Sequence, residues 1–436
     1  MVLASFDIPN SIRFFGVHTH NRVINIYSEF LMSEKKPVMS DALRQARAPI
    51  KRQSLADIEL QAARISAMME HIRAAMLEPT AAKQAPDVSA AQLATLCDVD
   101  KNRIAYRLSR GGLPQGTMKG NRREWTMHEA REWVREFRAS HLRPAMAAGT
   151  TITVANFKGG VAKTTSAVTL AQGLSMRGHR VLVVDLDPQG SATTLFGVLP
   201  DAEVEQEHTA MLLFAGEHDD LSYAIRPSYW PGIDLVCAAP LLFGAEFALP
   251  ARQTRDPGFE FWRCLDRGLD QARMDYDVIV IDTPPALSYV TINALMAADG
   301  VIMPLPPSAL DFASSAQFWD LFSDLCNQLI RSRGQDKTFE FIDVLLSRVE
   351  SSDAASSVVR QWVLEGYTEK VLPIEIPKTA VTATAAAEFG TVYDLPRGAM
   401  NAKTFSRARD AYDRLCELVE QQIEAVWAAQ VEQLGH

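Results

Sequence analysis

Two lysines five residues apart, Lys158 and Lys163, enclose Gly159, Gly160, Val161 and Ala162, and Thr164 and Thr165 follow at once. Residues of these types at this spacing suit an anion. Glycines let consecutive backbone N–H groups curl around a phosphate, a lysine adds an ammonium, and a Thr hydroxyl can ligate Mg²⁺. Three acids stand ready further on: Asp185 and Asp187 close the run RVLVVDLD, and Asp282 closes DVIVID. A carboxylate at such a point can hold Mg²⁺ through a water, so the chemistry in view is phosphoryl transfer.

Each of these residues needs an element to aim it. Ile152, Thr153 and Val154 read as a strand, the glycines as a loop, and Val168, Leu170, Ala171 and Leu174 as one face of a helix. The runs 180–187, 233–237, 277–285 and 300–304, with FEFIDVLLSRV, are apolar and β-branched, as expected of parallel strands buried on both faces. Sites in such sheets lie at the strands' carboxyl ends, which brings Asp185, Asp187 and Asp282 beside the phosphate loop. The expected fold is α/β: a P-loop NTPase with a mostly parallel twisted sheet flanked by helices, preceded by an α-helical region and a small winged helix-turn-helix domain. The strict P-loop pattern fails, however, with Phe157 at its first glycine and Ala162 at its second.

Lys-Gly-Gly-x-x-Lys-Thr resembles the deviant Walker A box of the ParA/MinD ATPases, Asp-x-Asp-Pro-Gln-Gly at 185–190 their switch I box, and Ser-Tyr-Trp-x-Gly-Ile-Asp-Leu at 228–235 the larger plasmid ParA and RepA partition proteins. The resemblance implies ATP and Mg²⁺ as cofactors and a homodimer in which Lys158 reaches the partner's nucleotide. It implies that Asp187 orients the attacking water, that Asp185 lies near the Mg²⁺ shell with Thr164 and Asp282, and that Ser347–Val349 and Pro377–Thr379 lie near the adenine. It further implies slow hydrolysis stimulated by a ParB-type centromere-binding protein, non-specific DNA binding, and a cytoplasmic, nucleoid-associated life.

At 436 residues the chain exceeds one ordinary domain. Residues 1–52 carry no sustained period. Residues 53–79 form a helix: Ser54 caps it, and Leu55, Ile58, Ala62, Ile65, Met69, Ile72 and Met76 make a heptad seam suited either to dimerisation or to packing on its own chain. Residues 79–87 read as a linker and 143–150 as a hinge before the ATPase domain at 150–436. Between them, 88–143 has helix-turn-helix spacing, with a wing around Lys119-Gly120-Asn121. Lys101 to Arg143 hold eleven Lys/Arg against four Glu, a basic module in a chain of net charge -9. Arg103, Tyr106 and Arg107 are candidates for base edges, and Lys119, Arg122 and Arg123 for phosphates. Asn293 and Asp311 are exposed polar candidates without a role.

Several classes drop out. The five cysteines are scattered, which gives neither a disulfide framework nor a metal site, and none lies in the short stretches just after the Asp282 box, where an iron–sulfur reductase would bind its cluster. No apolar run reaches eighteen residues, and the start lacks a signal peptide. The C-terminal helix ends in Glu417, Glu420, Glu424 and Glu432, which disfavours a MinD-like membrane anchor. The competing reading is a nucleotide-responsive repressor whose main task is operator binding by 88–143.

Overall fold

The computed structural model describes residues 52–77, 83–350, 353–395 and 401–434. The readings made for residues 1–51 and for Pro79 lie outside the described residues. The chain divides into two compact units, Met1–Ala81 and Ala82–His436.

In the first unit, helix α1 spans Leu55–Leu77. Its start is fixed by a reciprocal cap: the Asp57 carboxylate accepts from the Ser54 N–H (2.8 Å) and hydroxyl (2.7 Å), and the Ser54 hydroxyl accepts from the Asp57 N–H (3.2 Å). The seam residues Leu55, Ile58 and Ile65 are exposed; the Ile72 and Met76 side chains lie outside the described residues.

The second unit is built on an eight-stranded sheet in the order β11-β10-β9-β4-β8-β5-β7-β6. Its strands are β4 (Thr150–Val154), β5 (Val181–Asp185), β6 (Arg226–Pro227), β7 (Ile233–Val236), β8 (Val278–Asp282), β9 (Gly300–Leu305), β10 (Phe341–Val349) and β11 (Val371–Pro377). All neighbours are parallel except β6 and β7. The apolar runs alternate between two cores, as strand pleating requires: Val181 and Val183 enter one, Leu182 and Val184 the other. Register puts Asp282 opposite both Val154 and Asp185, so the phosphate loop and two acids leave the sheet side by side.

Residues 88–143 form a small layer of the same unit. Strand β1 (Val88–Ser89) pairs with β3 (Arg122–Trp125), and β2 (Thr117–Lys119) completes a hairpin. Helices α2 (Ala90–Leu96), α3 (Lys101–Arg110) and α4 (Met127–Phe137) surround it. The Trp125 and Trp133 indoles both donate to the Pro114 carbonyl (3.0 and 2.9 Å), clamping the wing to α4.

Helix α5 (Lys163–Met176) follows the glycine loop. Helices α6 (Tyr289–Ala297), α7 (Ala309–Leu329) and α8 (Ala354–Tyr367) cover the sheet, and α9 (Ala402–Leu434) runs along α5. Gly173 permits that approach, since a Cβ there would lie 2.2 Å from Cys416 Sγ.

Two connecting segments differ from the sequence reading. The end of the expected linker is fastened: the Lys83 ammonium donates to the Leu195 and Phe389 carbonyls (2.8 and 2.9 Å) and pairs with Asp394 (3.2 Å). The expected hinge is pinned at both ends around an exposed Pro144–Met146, with Arg143 paired to Asp277 (3.1 Å) and the Gly149 N–H donating to the Arg273 carbonyl (2.7 Å). Long-range partners, invisible in local composition, pin both. Four of the five cysteines are buried and Cys326 is half-buried, all as free thiols.

Candidate functional site

A cleft of about 1060 Å³ opens at the carboxyl edge of the sheet. Gly159, Gly160, Ala162, Lys163, Thr164 and Thr165 floor it, Asp187 stands on one wall, and Arg348, Val349, Pro377 and Thr379 form the far end. Val161 is buried beneath the loop. Helix α5 begins here without a side-chain cap, so its first N–H groups and positive dipole end face the cleft. Phe157 replaces the first Walker glycine because its ring packs on Phe318 (centroids 4.3 Å apart) rather than approaching the cleft.

The two lysines separate in role. Lys163 is buried, and its ammonium donates to the Lys158 carbonyl (3.0 Å). Burial lowers its pKa, with Asp282 and Asp187 opposing. The Lys158 side chain is 37% exposed, and its ammonium lies 2.7 Å from an Asp311 carboxylate oxygen. Its N–H donates to Asn156 Oδ1 (3.0 Å), whose amide in turn donates to the Pro304 carbonyl (2.9 Å).

The three acids also differ. Asp185 is fully buried and occupied: Oδ2 accepts from the Thr193 N–H and hydroxyl, each at 2.8 Å, and Oδ1 accepts from the Asp187 N–H (3.1 Å). Burial pushes its carboxyl up to about 7 against those donors. Asp185 therefore shapes the loop that carries Asp187, whose Oδ1 accepts from the Gln189 N–H (3.0 Å). Asp282 is fully buried, and neither carboxylate oxygen has a well-formed hydrogen bond. Burial and then Asp185 push its carboxyl well above the usual range, while the Thr164 hydroxyl and Lys163 oppose.

An orphaned buried carboxylate beside a Thr hydroxyl fits a cation. Among the described residues no group of three or more His, Cys, Asp or Glu forms a metal cage. A Thr hydroxyl with one nearby carboxylate is a donor set that suits Mg²⁺, which takes most of its shell from waters and substrate phosphates.

The sequence candidates outside the cleft fare unevenly. Asn293 is fully buried and structural, accepting from the Leu265 N–H (3.0 Å) and donating to the Tyr289 carbonyl (2.9 Å). Asp311 is half-buried and partners Lys158. On the 88–143 layer Arg103, Tyr106, Lys119 and Arg122 are exposed. Arg107 is instead tied to the Gly111 carbonyl and to Glu136 (3.4 Å), Arg123 donates to the Gln115 carbonyl, and Lys119 pairs with Asp87.

Four of the eleven basic residues in this module are engaged by the rest of the unit. Arg131 donates to Ser175 and to the His179 carbonyl (3.0 Å), Arg135 to the Gly178 carbonyl, and Arg143 grips Asp277. Arg138 is bidentate on Glu420 of α9 (2.9 and 2.8 Å). Glu420 also pairs with Arg177 and His179, each at 2.8 Å. The expected acidic face of α9 is thus partly internal, and the basic surface is smaller than the sequence count implies. Arg348, expected near the adenine as part of 347–349, does line the cleft, whereas Asp311 had no role from the sequence and only its place at a helix start could have signalled one.

Sheet order, phosphate loop and acids define a P-loop NTPase. The AAA domain family model matches residues 149–332. The putative replication protein A of Sinorhizobium fredii is 30% identical over 367 residues, 81% of this chain and 90% of that protein. Protein SopA of Escherichia coli K12 is 34% identical over 251 residues, 56% of this chain and 62% of that protein. A solved structure described as a partition protein shares the fold over 86% of this chain and 99% of its own, with a TM-score of 0.58 and 22% identity. The chain belongs to the ParA/MinD-type deviant Walker A ATPases.

Proposed function

We propose that this chain is an ATP-dependent DNA partition ATPase that dimerises on ATP, binds DNA without sequence preference and is released by hydrolysis of ATP and water to ADP and phosphate. The observation that carries this reading is the pairing of an uncapped α5 N-terminus with the orphaned Asp282 carboxylate: a phosphate seat and a cation seat on one cleft. Lys163 and the N–H groups of 159–165 bind the phosphates, and Pro377 borders the adenine. Thr164 and Asp282, with Asp185 behind them, would hold Mg²⁺, which when bound neutralises charge on the phosphates. Asp187 orients the attacking water, and Lys158 stabilises phosphate charge across a homodimer.

A ParB-type centromere-binding protein is the proposed stimulating partner, in a cytoplasmic, nucleoid-associated setting. No described helix is long and apolar enough to cross a membrane. Residues 88–143 bind the protein's own operator, with Arg103 and Tyr106 toward base edges, Lys119 and Arg122 toward phosphates, and Arg107 and Arg123 holding α3 and the wing in shape.

The test is ATP-dependent retention on random-sequence DNA, measured with hydrolysis. Retention that ignores ATP, or that survives Lys158→Ala unchanged together with hydrolysis, overturns the reading. A second reading, operator-binding repressor first, is favoured by the exposed Tyr106 and Arg103 on one helix. Arg103→Ala discriminates: a repressor loses its activity, whereas an ATPase still hydrolyses ATP.

A further inference from the structure

Ala162 presents a difficulty. It has φ +75° and ψ 30°, the left-handed region, where a residue with a Cβ costs about 1 kcal/mol more than glycine. It occupies the position that a strict P-loop gives to glycine, in the loop that must hold its N–H groups in fixed directions. Some interaction from outside the loop has to hold it there.

Two successive residues at the end of β10 supply it. The Ser347 hydroxyl, fully buried, donates to the Val161 carbonyl (2.9 Å). The Arg348 guanidinium donates to the Gly160 carbonyl. Arg348 is itself at φ +53°, a conformation disfavoured for arginine, where the β10–β11 register shifts between Leu346 and Val349. In a trans peptide the C=O and the following N–H point in opposite directions. Holding the Gly160 carbonyl therefore aims the Val161 N–H the other way, and holding the Val161 carbonyl does the same for Ala162. Neither N–H donates a hydrogen bond within the described residues, so both remain for an anion.

We propose that Ser347 and Arg348 are positioning residues that lock two consecutive peptides of the phosphate loop, and that this lock is what allows alanine at position 162. The inference rests on the nucleotide-binding reading above. It concerns the loop's preorganisation and requires no contact between Ser347 and nucleotide.

The experiment measures Mg-ADP affinity by calorimetry on the full chain, with nucleotide-free melting and steady-state ATP hydrolysis alongside. Ser347→Ala is expected to weaken Mg-ADP binding by about tenfold, the equivalent of one lost hydrogen bond. The nucleotide-free chain should still melt within about 4 °C of the parent, and the hydrolysis defect should lie in KM more than in kcat. In the Ala162→Gly background the same Ser347→Ala change should cost less than about threefold, because glycine adopts the left-handed conformation unaided. A purely structural role for Ser347 lowers the melting temperature and leaves the affinity of folded protein unchanged.

Arg348→Ala, on an exposed side chain, repeats the test should the buried change impair folding. Binding within twofold of the parent in these variants, or an equal loss with and without Ala162→Gly, overturns the proposal. A parent chain that binds neither ADP nor ATP sinks the ATPase reading with it, whereas parent binding with unaltered variants sinks this inference alone.

Discussion

Lys158 and Asp311 form an ion pair within one chain: the ammonium lies 2.7 Å from the carboxylate, and Asp311 is itself tied to Ser308 at the cap of α7. The lysine proposed to serve a second subunit is thus held by its own. On the dimer reading proposed above, exchanging Asp311 for a phosphate on another chain would link Lys158 to the dimer state. The pair is partly exposed, so its worth is modest. Asp311→Asn should lower the protein concentration needed for ATP-dependent dimerisation by up to about fivefold. Sedimentation velocity with ATP and Mg²⁺ reads this out; an unchanged or higher midpoint refutes it.

Lys158→Ala should separate binding from turnover. Lys163 and the loop N–H groups remain, so Mg-ADP affinity is expected to stay within about threefold, whereas ATP turnover falls by at least about a hundredfold, as for loss of a transition-state cation. Comparable losses in both would place Lys158 in its own subunit's ground-state site.

Glu420 should govern acid stability. Burial alone would raise its carboxyl, but hydrogen bonds from His179 and Arg138 and the charge of Arg177 hold it down at about 2, against an ordinary 4.5. A depressed carboxylate contributes stability that is present above its unfolded pKa and lost as pH falls through the folded one. The Glu420→Gln variant should therefore be destabilised at pH 7 by about 3–5 kcal/mol, because it leaves buried cations unpaired. The difference from the parent should shrink between about pH 4.5 and about 2. Denaturant melts across pH check it; a gap that grows on acidification is the wrong sign.

The layer formed by 88–143 should not detach cleanly. It shares an apolar core with α5 and α9 and supplies Arg138 to Glu420. A chain cut to residues 150–436 is expected to be poorly soluble or several kcal/mol less stable, as for a broken buried pair. A soluble fragment with the parent's melting temperature contradicts this.

Arg122, exposed on the wing, should contribute to DNA binding through phosphate charge alone. Arg122→Ala is expected to weaken operator and random DNA alike and to reduce the salt slope of binding by about one unit. A loss confined to the operator would make it a base-reading residue instead.

Much of this was readable in the chain itself. Val, Ile and Leu runs ending in Asp185 and Asp282 fixed strands and the edge where chemistry lies, since a strand buried on both faces must be apolar throughout and can place a carboxylate only at its end. The lysine, glycine and threonine spacing at 158–165 fixed the phosphate loop, because the spacing is itself the geometry of a strand-to-helix turn. What locality could not reveal were the partners of charges. Arg131, Arg138 and Arg143 look in sequence like any DNA-facing arginine, yet they terminate on Ser175, Glu420 and Asp277.

Sequence alone therefore determined the class of fold, the glycine loop and the acids beside it, because these follow from the period and spacing of nearby residues. Only tertiary structure decided that Lys83 is an anchor, that Asp311 holds Lys158, and that Ser347 and Arg348 secure the loop around Ala162. Each of these depends on residues more than a hundred positions apart meeting in space. Long-range pairing is set by how the sheet and its helices pack, and no local pattern encodes it.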